Sequence, residues 1–316
     1  MELFMKKYVT IDGGTTNTRV SLVIGGEIQS TVKIPTGAKK SIGGNEELKN
    51  ALKAALDKLL SEAGYSLSDI DAILASGMIT SEFGLVNLPH ITAPAGIAEL
   101  ARNMESVLIP EVAEIPISFV RGVKTVGELE LTDMMRGEET ELMGLREESY
   151  GECVFVLPGS HSKLIYTDRE GRITRFSTTL TGEMIAALSE GTILKDAVSL
   201  SCEKLDTPSL DDGFLYANEH GLNEALFKTR ILKNLFGRGE EECYSFFLGA
   251  VLADEINTII SSPLATVVIG GRAQIKRATA HLCQKHSDKK VIALSDEEVA
   301  ASTAKGIVRI FEYGKT

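Results

Sequence analysis

The sequence has few cysteines, no surplus of positive charge and no long apolar run, and each scarcity excludes a class of protein. The four cysteines, Cys153, Cys202, Cys243 and Cys283, are widely spaced and form no CxxC pair. This pattern indicates reduced thiols in a cytoplasmic protein, not a disulfide framework or a metal site. The net charge of −11 argues against nucleic acid as the main partner, because a phosphate backbone is held by a basic surface. No stretch approaches the roughly 20 apolar residues of a membrane span, so we expect no membrane partner.

Two common nucleotide-binding motifs are missing as well. The Walker pattern G-x-x-x-x-G-K-[ST] occurs nowhere in the chain, and neither does the Rossmann pattern G-x-G-x-x-G. Both patterns hold phosphates on a glycine-rich loop that leads into a helix. A nucleotide site in this chain therefore needs another kind of turn.

The predicted elements follow a similar order in the two halves of the 316-residue chain. In the first half, periodicity predicts three strands, a helix and a buried strand at 7–12, 18–24, 27–34, 45–64 and 70–76. In the second half, strands and helices are predicted at 153–159, 162–168, 172–179, 183–200, 240–260, 266–271, 272–285 and 290–294, with a final helix from 296. The repeat predicts an α/β fold of two similar domains, residues 1–130 and 131–316, that face each other across a cleft.

The first strand of the first half ends in a turn suited to phosphate, Asp12-Gly13-Gly14-Thr15-Thr16-Asn17. The glycines let the backbone approach a ligand. The hydroxyl, amide and N–H groups are donors for phosphate oxygens, and the Asp12 carboxylate is a ligand for Mg²⁺. An ordinary hairpin turn is the alternative, because glycine and aspartate are common in turns.

Two further turns lie at related positions in the second half. Gly159-Ser160-His161-Ser162-Lys163 follows the first strand there and offers hydroxyls and one cation. Lys163 is a candidate counter-charge for phosphate, with a solvated lysine as the alternative. Gly270-Gly271 ends a buried strand before a helix, where a nucleoside can lie close to the backbone, although a plain strand-to-helix bend explains glycine equally well. Together the three turns predict a site for a nucleoside triphosphate.

Several sequence blocks carry a family resemblance. They are IDGGTTNTRVSL (11–22), SGMITSEFGL (76–85), APAG (93–96), DMMRGEETELMGL (133–145), LPGSHSK (157–163), RITRFSTTLTGEM (172–184) and GGRA (270–273). With these blocks the chain resembles the 2-dehydro-3-deoxygalactonokinase family of the actin–hexokinase superfamily. The resemblance implies two actin-like (ribonuclease H-like) domains, each with a five-stranded mixed sheet flanked by helices, and it also suggests a homodimer.

The resemblance further implies an activity. It implies that ATP and Mg²⁺ bind in the cleft and that a primary hydroxyl of 2-dehydro-3-deoxy-D-galactonate is phosphorylated to the 6-phosphate. The chain departs from the family at Gly13, where Trp is frequent, at Ser160, where Thr is frequent, and at Gly191-Thr192, where many members have His-Ser. The last difference leaves the exact sugar acid open.

Phosphoryl transfer requires a base for the acceptor hydroxyl, and the acidic block is the place predicted for it. In related sugar kinases the base often precedes the second phosphate strand. Asp133 and Glu138 are both candidates, with His161 behind them, and a helix cap is the alternative role for Asp133. Arg136 is the candidate ligand for the carboxylate of a sugar acid, with a structural ion pair as its alternative.

The sugar side is predicted on the first domain. Ser76, Gly77 and Met78 follow a buried strand, so their positions suit the lining of the cleft. Core filling is the alternative for Met78. The rival functions are a non-catalytic sensor of the same fold, a kinase of the superfamily with another acceptor, and a phosphohydrolase.

Overall fold

A hairpin of three antiparallel strands opens the fold and carries the first predicted turn. In the computed structural model, which describes residues 5–37, 44–271 and 273–316, β1 (Lys7–Gly13) pairs with β2 (Thr18–Ile24), and β2 pairs with β3 (Glu27–Ile34). Val9, Ile11 and Val20 are buried in this hairpin, in keeping with the alternation that predicted it. Arg272, in the third predicted turn, lies outside the described residues.

The first sheet continues from the hairpin through parallel strands. Its order is β3-β2-β1-β4-β7-β6, with β4 (Ala72–Gly77) and β7 (Ile117–Phe119) parallel to their neighbours and β6 (Glu105–Val107) antiparallel to β7. The prediction of five strands was wrong here, because the short edge strand β6 adds a sixth. Helix α1 (Glu46–Ala63) packs Leu48, Leu52 and other apolar residues into the core of this sheet.

A three-stranded sheet accompanies the first one and carries part of the acidic block. Its order is β5-β8-β9, formed by β5 (Ile91–Thr92), β8 (Val123–Thr125) and β9 (Asp133–Met135). Helix α2 (Ile97–Arg102) lies between β5 and β6 in the chain, and helix α3 (Glu138–Leu145) follows β9 directly. The acidic block therefore runs from an edge strand into the first turn of a helix.

The second sheet has the five strands that were predicted. Its order is β12-β11-β10-β13-β14. The strands are β10 (Cys153–Leu157), β11 (Ser162–Thr167), β12 (Ile173–Thr179), β13 (Thr266–Ile269) and β14 (Lys290–Ala293). The remaining helices are α4 (Thr181–Gly191), α5 (Thr207–His220), α6 (Leu222–Asn234), α7 (Glu240–Ser261), α8 (Ala273–His286) and α9 (Asp296–Tyr313). Both main sheets mix parallel and antiparallel pairs and are accompanied by helices, which confirms the predicted α/β class.

Helix α7 forms the centre of the second core. Its length and apolar composition would suffice to cross a membrane, but 78% of its most apolar stretch is buried inside the protein. A Cβ atom at Gly249 would lie 2.0 Å from the carbonyl oxygen of Leu210 on α5. Glycine therefore lets α5 and α7 approach closely, and α7 is a core helix.

The helix predicted at 183–200 is shorter than expected. Helix α4 ends at Gly191, and the Thr192 side chain accepts a hydrogen bond from the Leu194 N–H at 3.1 Å, which starts a separate 3₁₀ turn, Ile193–Asp196. A threonine that caps a new turn competes with continuation of the preceding helix. Periodicity alone did not reveal this break.

The chain divides into two compact units whose boundary differs from the prediction at residue 130. The first unit comprises Met1–Glu148, Glu170–Arg175 and Glu297–Thr316, and the second comprises Ser149–Arg169 and Phe176–Asp296. The acidic block and α9 thus group with the first unit. The physical reason is close helix packing, because a Cβ atom at Gly306 on α9 would lie 1.9 Å from the carbonyl oxygen of Thr140 on α3.

Candidate active site

The first predicted turn and the predicted sugar-side block meet at the carboxyl ends of β1 and β4. The two strands run parallel, with Asp12 opposite Ser76 and Gly13 opposite Gly77. A Cβ atom at Gly13 would lie 2.6 Å from Cβ of Ile79, and one at Gly77, whose φ is +85°, would lie 2.5 Å from the Gly13 carbonyl oxygen. Side chains larger than hydrogen do not fit here. The glycines in both blocks therefore allow the two turns to touch.

The acidic block joins the same place. Gly137 has a φ of +117°, and a Cβ atom there would lie 3.4 Å from Cα of Gly77. The Arg136 guanidinium donates to the carbonyl oxygen and the hydroxyl of Thr80, both at 2.6 Å. Three blocks that are far apart in sequence, around residues 12, 77 and 137, therefore converge within the first unit.

Carboxylates accumulate where these blocks meet. Asp12 pairs with the exposed Arg19 at 2.9 Å. Burial raises the pKa of Asp12, Arg19 lowers it, and the charge of Glu138 raises it again. Burial, followed by the charges of Glu138 and Asp12, raises the pKa of Glu141 to about 8. The raised pKa values indicate that these carboxyl groups lie close enough to repel one another.

The acids of the block differ in their surroundings. Glu139 is fully buried and accepts hydrogen bonds from the Gly137 N–H on both oxygens at 2.9 Å. Burial raises its pKa to about 8, so it is mainly protonated at neutral pH and unsuited to accept a proton. Asp133, on β9, accepts from the Met134 N–H at 2.7 Å. Glu138 begins α3, is partly exposed and lies close enough to Asp12 to raise that pKa.

Magnesium fits the chemistry of this cluster. In residues 5–37, 44–271 and 273–316, no group of three or more His, Cys, Asp or Glu side chains is placed to hold a metal ion by itself. Mg²⁺ is usually held by one or two carboxylates together with phosphates and waters. The Asp12 carboxylate, on which the charge of Glu138 also acts, is in the kind of environment that a divalent cation neutralises. Asp12 would therefore hold the ion together with a bound polyphosphate.

Arg136 is placed differently from its predicted role as a carboxylate ligand. Besides Thr80, its guanidinium donates to the Leu88 carbonyl oxygen at 3.1 Å and lies 3.3 Å from Nδ1 of His90. Both terminal nitrogens thus face protein acceptors. The side chain connects the acidic block to the segment 78–90, which is a structural role. The alternative predicted for Arg136 was a structural ion pair, but its partners here are backbone oxygens, a hydroxyl and an imidazole.

The other predicted residues of the first unit lie around the convergence point. Ser76 is fully buried, and its hydroxyl has no hydrogen-bond partner among the described residues. Met78 is partly exposed and begins the 3₁₀ turn Met78–Thr80. Thr15, Thr16 and Asn17 are exposed, and the Gly14 N–H donates to the Asn17 carbonyl oxygen at 2.9 Å. The hydroxyl and amide groups of this turn are therefore accessible to a ligand.

The second and third predicted turns meet in the second unit. The Gly270 N–H donates to the Val156 carbonyl oxygen at 2.9 Å. Gly271 has a φ of +75°, and a Cβ atom there would lie 2.3 Å from the Pro158 carbonyl oxygen. A Cβ atom at Gly182, at the start of α4, would lie 2.1 Å from the Gly159 carbonyl oxygen. Glycine therefore packs the Gly270-Gly271 turn and the α4 N-terminus against the phosphate turn.

The polar residues of the second turn are partly buried. His161 is exposed and lies 3.1 Å from a carboxylate oxygen of Glu183. Lys163 is only 3% exposed, so the alternative of a solvated lysine was wrong. The buried hydroxyl of Ser162 has no hydrogen-bond partner in the described part of the chain, and Ser160 accepts from the Glu183 N–H at 3.2 Å through its carbonyl oxygen.

Sequence reasoning missed Glu255 on α7. It is 3% exposed, and its Oε1 accepts hydrogen bonds from the hydroxyls of Thr179 and Thr181, which flank the start of α4. Its Oε2 has no partner among the described residues. A carboxylate in the middle of an apolar helix was the available signal, because buried acids are rare without a specific role.

Comparison with known protein families identifies the family of this chain. The family model described as 2-keto-3-deoxy-galactonokinase matches residues 12–310. The chain belongs to this family. Members of the 2-keto-3-deoxy-galactonokinase family are kinases, which transfer a phosphoryl group to an alcohol acceptor.

Individual relatives extend the match. A curated protein of Rhizobium meliloti (strain 1021), provisionally named a 2-dehydro-3-deoxygalactonokinase, is 30% identical over 193 residues, which are 61% of this chain and 59% of the relative. The match thus spans less than two thirds of that relative. A crystal structure from Sinorhizobium meliloti, provisionally assigned to the same activity, has a TM-score of 0.79 at 21% identity and covers 97% of this chain and 98% of its own.

A more distant structure shares the fold alone. Component A of the (R)-2-hydroxyglutaryl-CoA dehydratase of Acidaminococcus fermentans has a TM-score of 0.51 at 11% identity, covering 98% of this chain and 100% of its own. The fold of the kinase family therefore extends to proteins with other chemistry, and the site residues must carry the argument for function.

Proposed function

We propose that this protein is a cytoplasmic kinase that transfers the terminal phosphoryl group of ATP to 2-dehydro-3-deoxy-D-galactonate and forms the 6-phosphate. The convergence of the Asp12 turn, the Ser76–Thr80 segment and the start of α3 carries the proposal. It brings phosphate donors, a carboxylate cluster and an acceptor-side segment together within one unit. The membership in the 2-keto-3-deoxy-galactonokinase family supports the same activity.

In this proposal each unit carries a turn whose donors bind phosphate oxygens of a nucleotide. Thr15, Thr16 and Asn17 supply accessible hydroxyl, amide and N–H donors on the first turn. The second turn, Gly159–Lys163, adds hydroxyls, His161 and the buried cation Lys163. The Gly270-Gly271 turn packs on Pro158, so the proposed place for the nucleoside adjoins the second turn.

Glu138 is the proposed base. It accepts the proton of the acceptor hydroxyl while that oxygen forms a bond to the γ-phosphorus and the bond to the β,γ-bridging oxygen breaks, which leaves ADP. Bound Mg²⁺ supplies charge neutralisation for the phosphates. Asp12 is suited to hold that ion, and Glu139, protonated in the core, fixes the Gly137 backbone beside Glu138.

The acceptor panel that tests this function uses the purified protein with ATP, Mg²⁺ and a coupled assay for ADP release. The panel contains 2-keto-3-deoxy acids of both galactonate and gluconate configuration, the parent aldonates and no acceptor. We expect ADP release that depends on a 2-keto-3-deoxy acid and is fastest with the galactonate configuration. Equal ADP release without any acceptor points to a phosphohydrolase, and turnover with a neutral sugar alone points to another kinase of the superfamily.

A further inference from the structure

Lys124, on the three-stranded sheet of the first unit, is a cation to which the proposed phosphoryl transfer gives no role. Lys124 is on the central strand β8, opposite Thr92 on β5 and Met134 on β9. It is partly buried. In residues 5–37, 44–271 and 273–316, no hydrogen bond or ion pair engages its ammonium group.

His90 lies directly before β5 and faces the same region. Its Nδ1 lies 3.3 Å from the Arg136 guanidinium. Because arginine can only donate, Nδ1 is the acceptor and the imidazole proton resides on Nε2. The ring packs closely on Gly122, which directly precedes β8, because a Cβ atom at Gly122 would lie 2.6 Å from Cδ2 of His90. Burial and the charges of Arg136 and Lys124 lower the pKa of His90 to about 4, so it is a neutral donor at physiological pH.

This arrangement is unfavourable in the absence of an anion. Two cations and an imidazole share a partly desolvated place, and the positive charges hold the imidazole in its neutral form. The acid of the block whose charge acts on the Arg136 guanidinium is Glu139, which is fully buried and mainly protonated. Arg136 and His90 have protein partners, whereas the Lys124 ammonium group has none in the described part of the chain, which makes it the candidate for ligand binding. An anionic ligand atom at this place would relieve the excess charge.

Arg136 relates this group to the proposed base. Its backbone N–H donates to Glu138 at 3.1 Å, while its guanidinium reaches His90. Glu138 therefore lies at the backbone end of the Arg136 side chain, and His90 lies at its guanidinium end. A six-carbon acid has its carboxylate and its primary hydroxyl at opposite ends of the chain, which suits this separation.

We infer that Lys124 and His90 form the subsite for the carboxylate of the acceptor, with Lys124 as the counter-charge and Nε2 of His90 as a hydrogen-bond donor. The inference rests on the proposed function and deepens it. It assigns the role first expected of Arg136 to Lys124, and it leaves Arg136 as the residue that orients His90. The subsite selects acids over neutral sugars, because a carboxylate is the partner that an unpaired ammonium lacks.

The test compares Lys124→Met with the wild-type protein on two acceptors, the 2-keto-3-deoxy acid and its uncharged primary amide. We expect the variant to raise the KM for the acid roughly 10- to 100-fold, as for the loss of one hydrogen bond to a charged group. The KM for ATP and the kcat/KM for the amide should stay unchanged, so the preference for the acid collapses. Lys124→Arg should restore part of it.

Lys53→Met is the matched control, because Lys53 is an exposed lysine on α1 of the same unit. It should leave every constant unchanged. An acid-to-amide preference that Lys124→Met and Lys124→Gln leave at the wild-type value overturns the subsite while the kinase function stands. Absence of turnover with every sugar acid in the wild-type protein overturns the proposed function and the subsite together.

Discussion

At the scale of single residues, Glu138 and Asp133 have different surroundings, although both belong to the same acidic block. Glu138 begins α3 beside Asp12, whereas Asp133 lies on β9 with its carboxylate bonded to the Met134 N–H. A base must reach the acceptor hydroxyl near the phosphates, and of this pair it is Glu138 whose charge acts on Asp12. The two residues therefore offer a matched pair of substitutions.

We expect Glu138→Gln to lower kcat by about 10²- to 10⁴-fold, the usual contribution of general base catalysis. Glutamine keeps the shape and an oxygen acceptor for the Arg136 N–H, so the thermal unfolding temperature should change little. Asp133→Asn should retain kcat within a few fold. Steady-state kinetics with saturating ATP give both values, and the reverse pattern, a large loss only in Asp133→Asn, would move the base to β9.

The sequence shows where glycines allow tight turns, but it does not show what surrounds an individual side chain. Gly13, Gly77 and Gly137 lie in short motifs, and the structure explains each of them by a close backbone approach. The role of Arg136 depends on where Thr80 and Leu88 lie, some 50 positions earlier in the chain, and the protonation of Glu139 depends on its complete burial. Neither property is contained in the block DMMRGEET itself.

At the scale of elements, the turn after β13 depends on glycine. Gly271 has a positive φ and contacts Pro158, which precedes the second phosphate turn. Alanine at this position combines an unfavourable backbone conformation, costing about 1–3 kcal/mol, with a clash against backbone atoms. The phosphate turn must shift to relieve it.

We therefore expect Gly271→Ala to raise the KM for ATP about 10-fold or more and to leave the KM for the sugar acid nearly unchanged. Gly191→Ala is the control, because no atom lies within 4 Å of a Cβ built there. Equilibrium binding of ATP, measured by calorimetry, reports the same difference independently of turnover. Equal ATP affinity in the two variants would remove the Gly270-Gly271 turn from the proposed nucleotide site.

Periodicity gave the order of the predicted strands and helices, but it missed α5 and α6, and it did not give the extent of the two units. Helix α9 is the last element of the chain, yet it packs on α3 through Gly144 and Gly306, more than 150 positions apart in sequence. When two helices approach each other at glycines, the sequence contains no apolar pattern that would show which helices are in contact. The short strands β6 and β9 are equally difficult to predict, because three residues are too few to show alternation.

At the scale of the whole molecule, the family match over residues 12–310 and the shared fold of the Sinorhizobium meliloti structure agree with the sequence blocks. The family match establishes a kinase family, and the acceptor is a proposal that rests on the acidic block and the family membership. The homodimer stays a prediction from the resemblance.

The most direct measurement is identification of the product formed from ATP and 2-dehydro-3-deoxy-D-galactonate. Phosphorus and proton nuclear magnetic resonance spectra of the reaction mixture locate the new phosphoester by its coupling to the carbon-bound hydrogens. The account predicts one equivalent of ADP and a phosphoryl group on the primary hydroxyl at C6. Inorganic phosphate as the only phosphorus product besides ADP, or a phosphoester at another carbon, would contradict it.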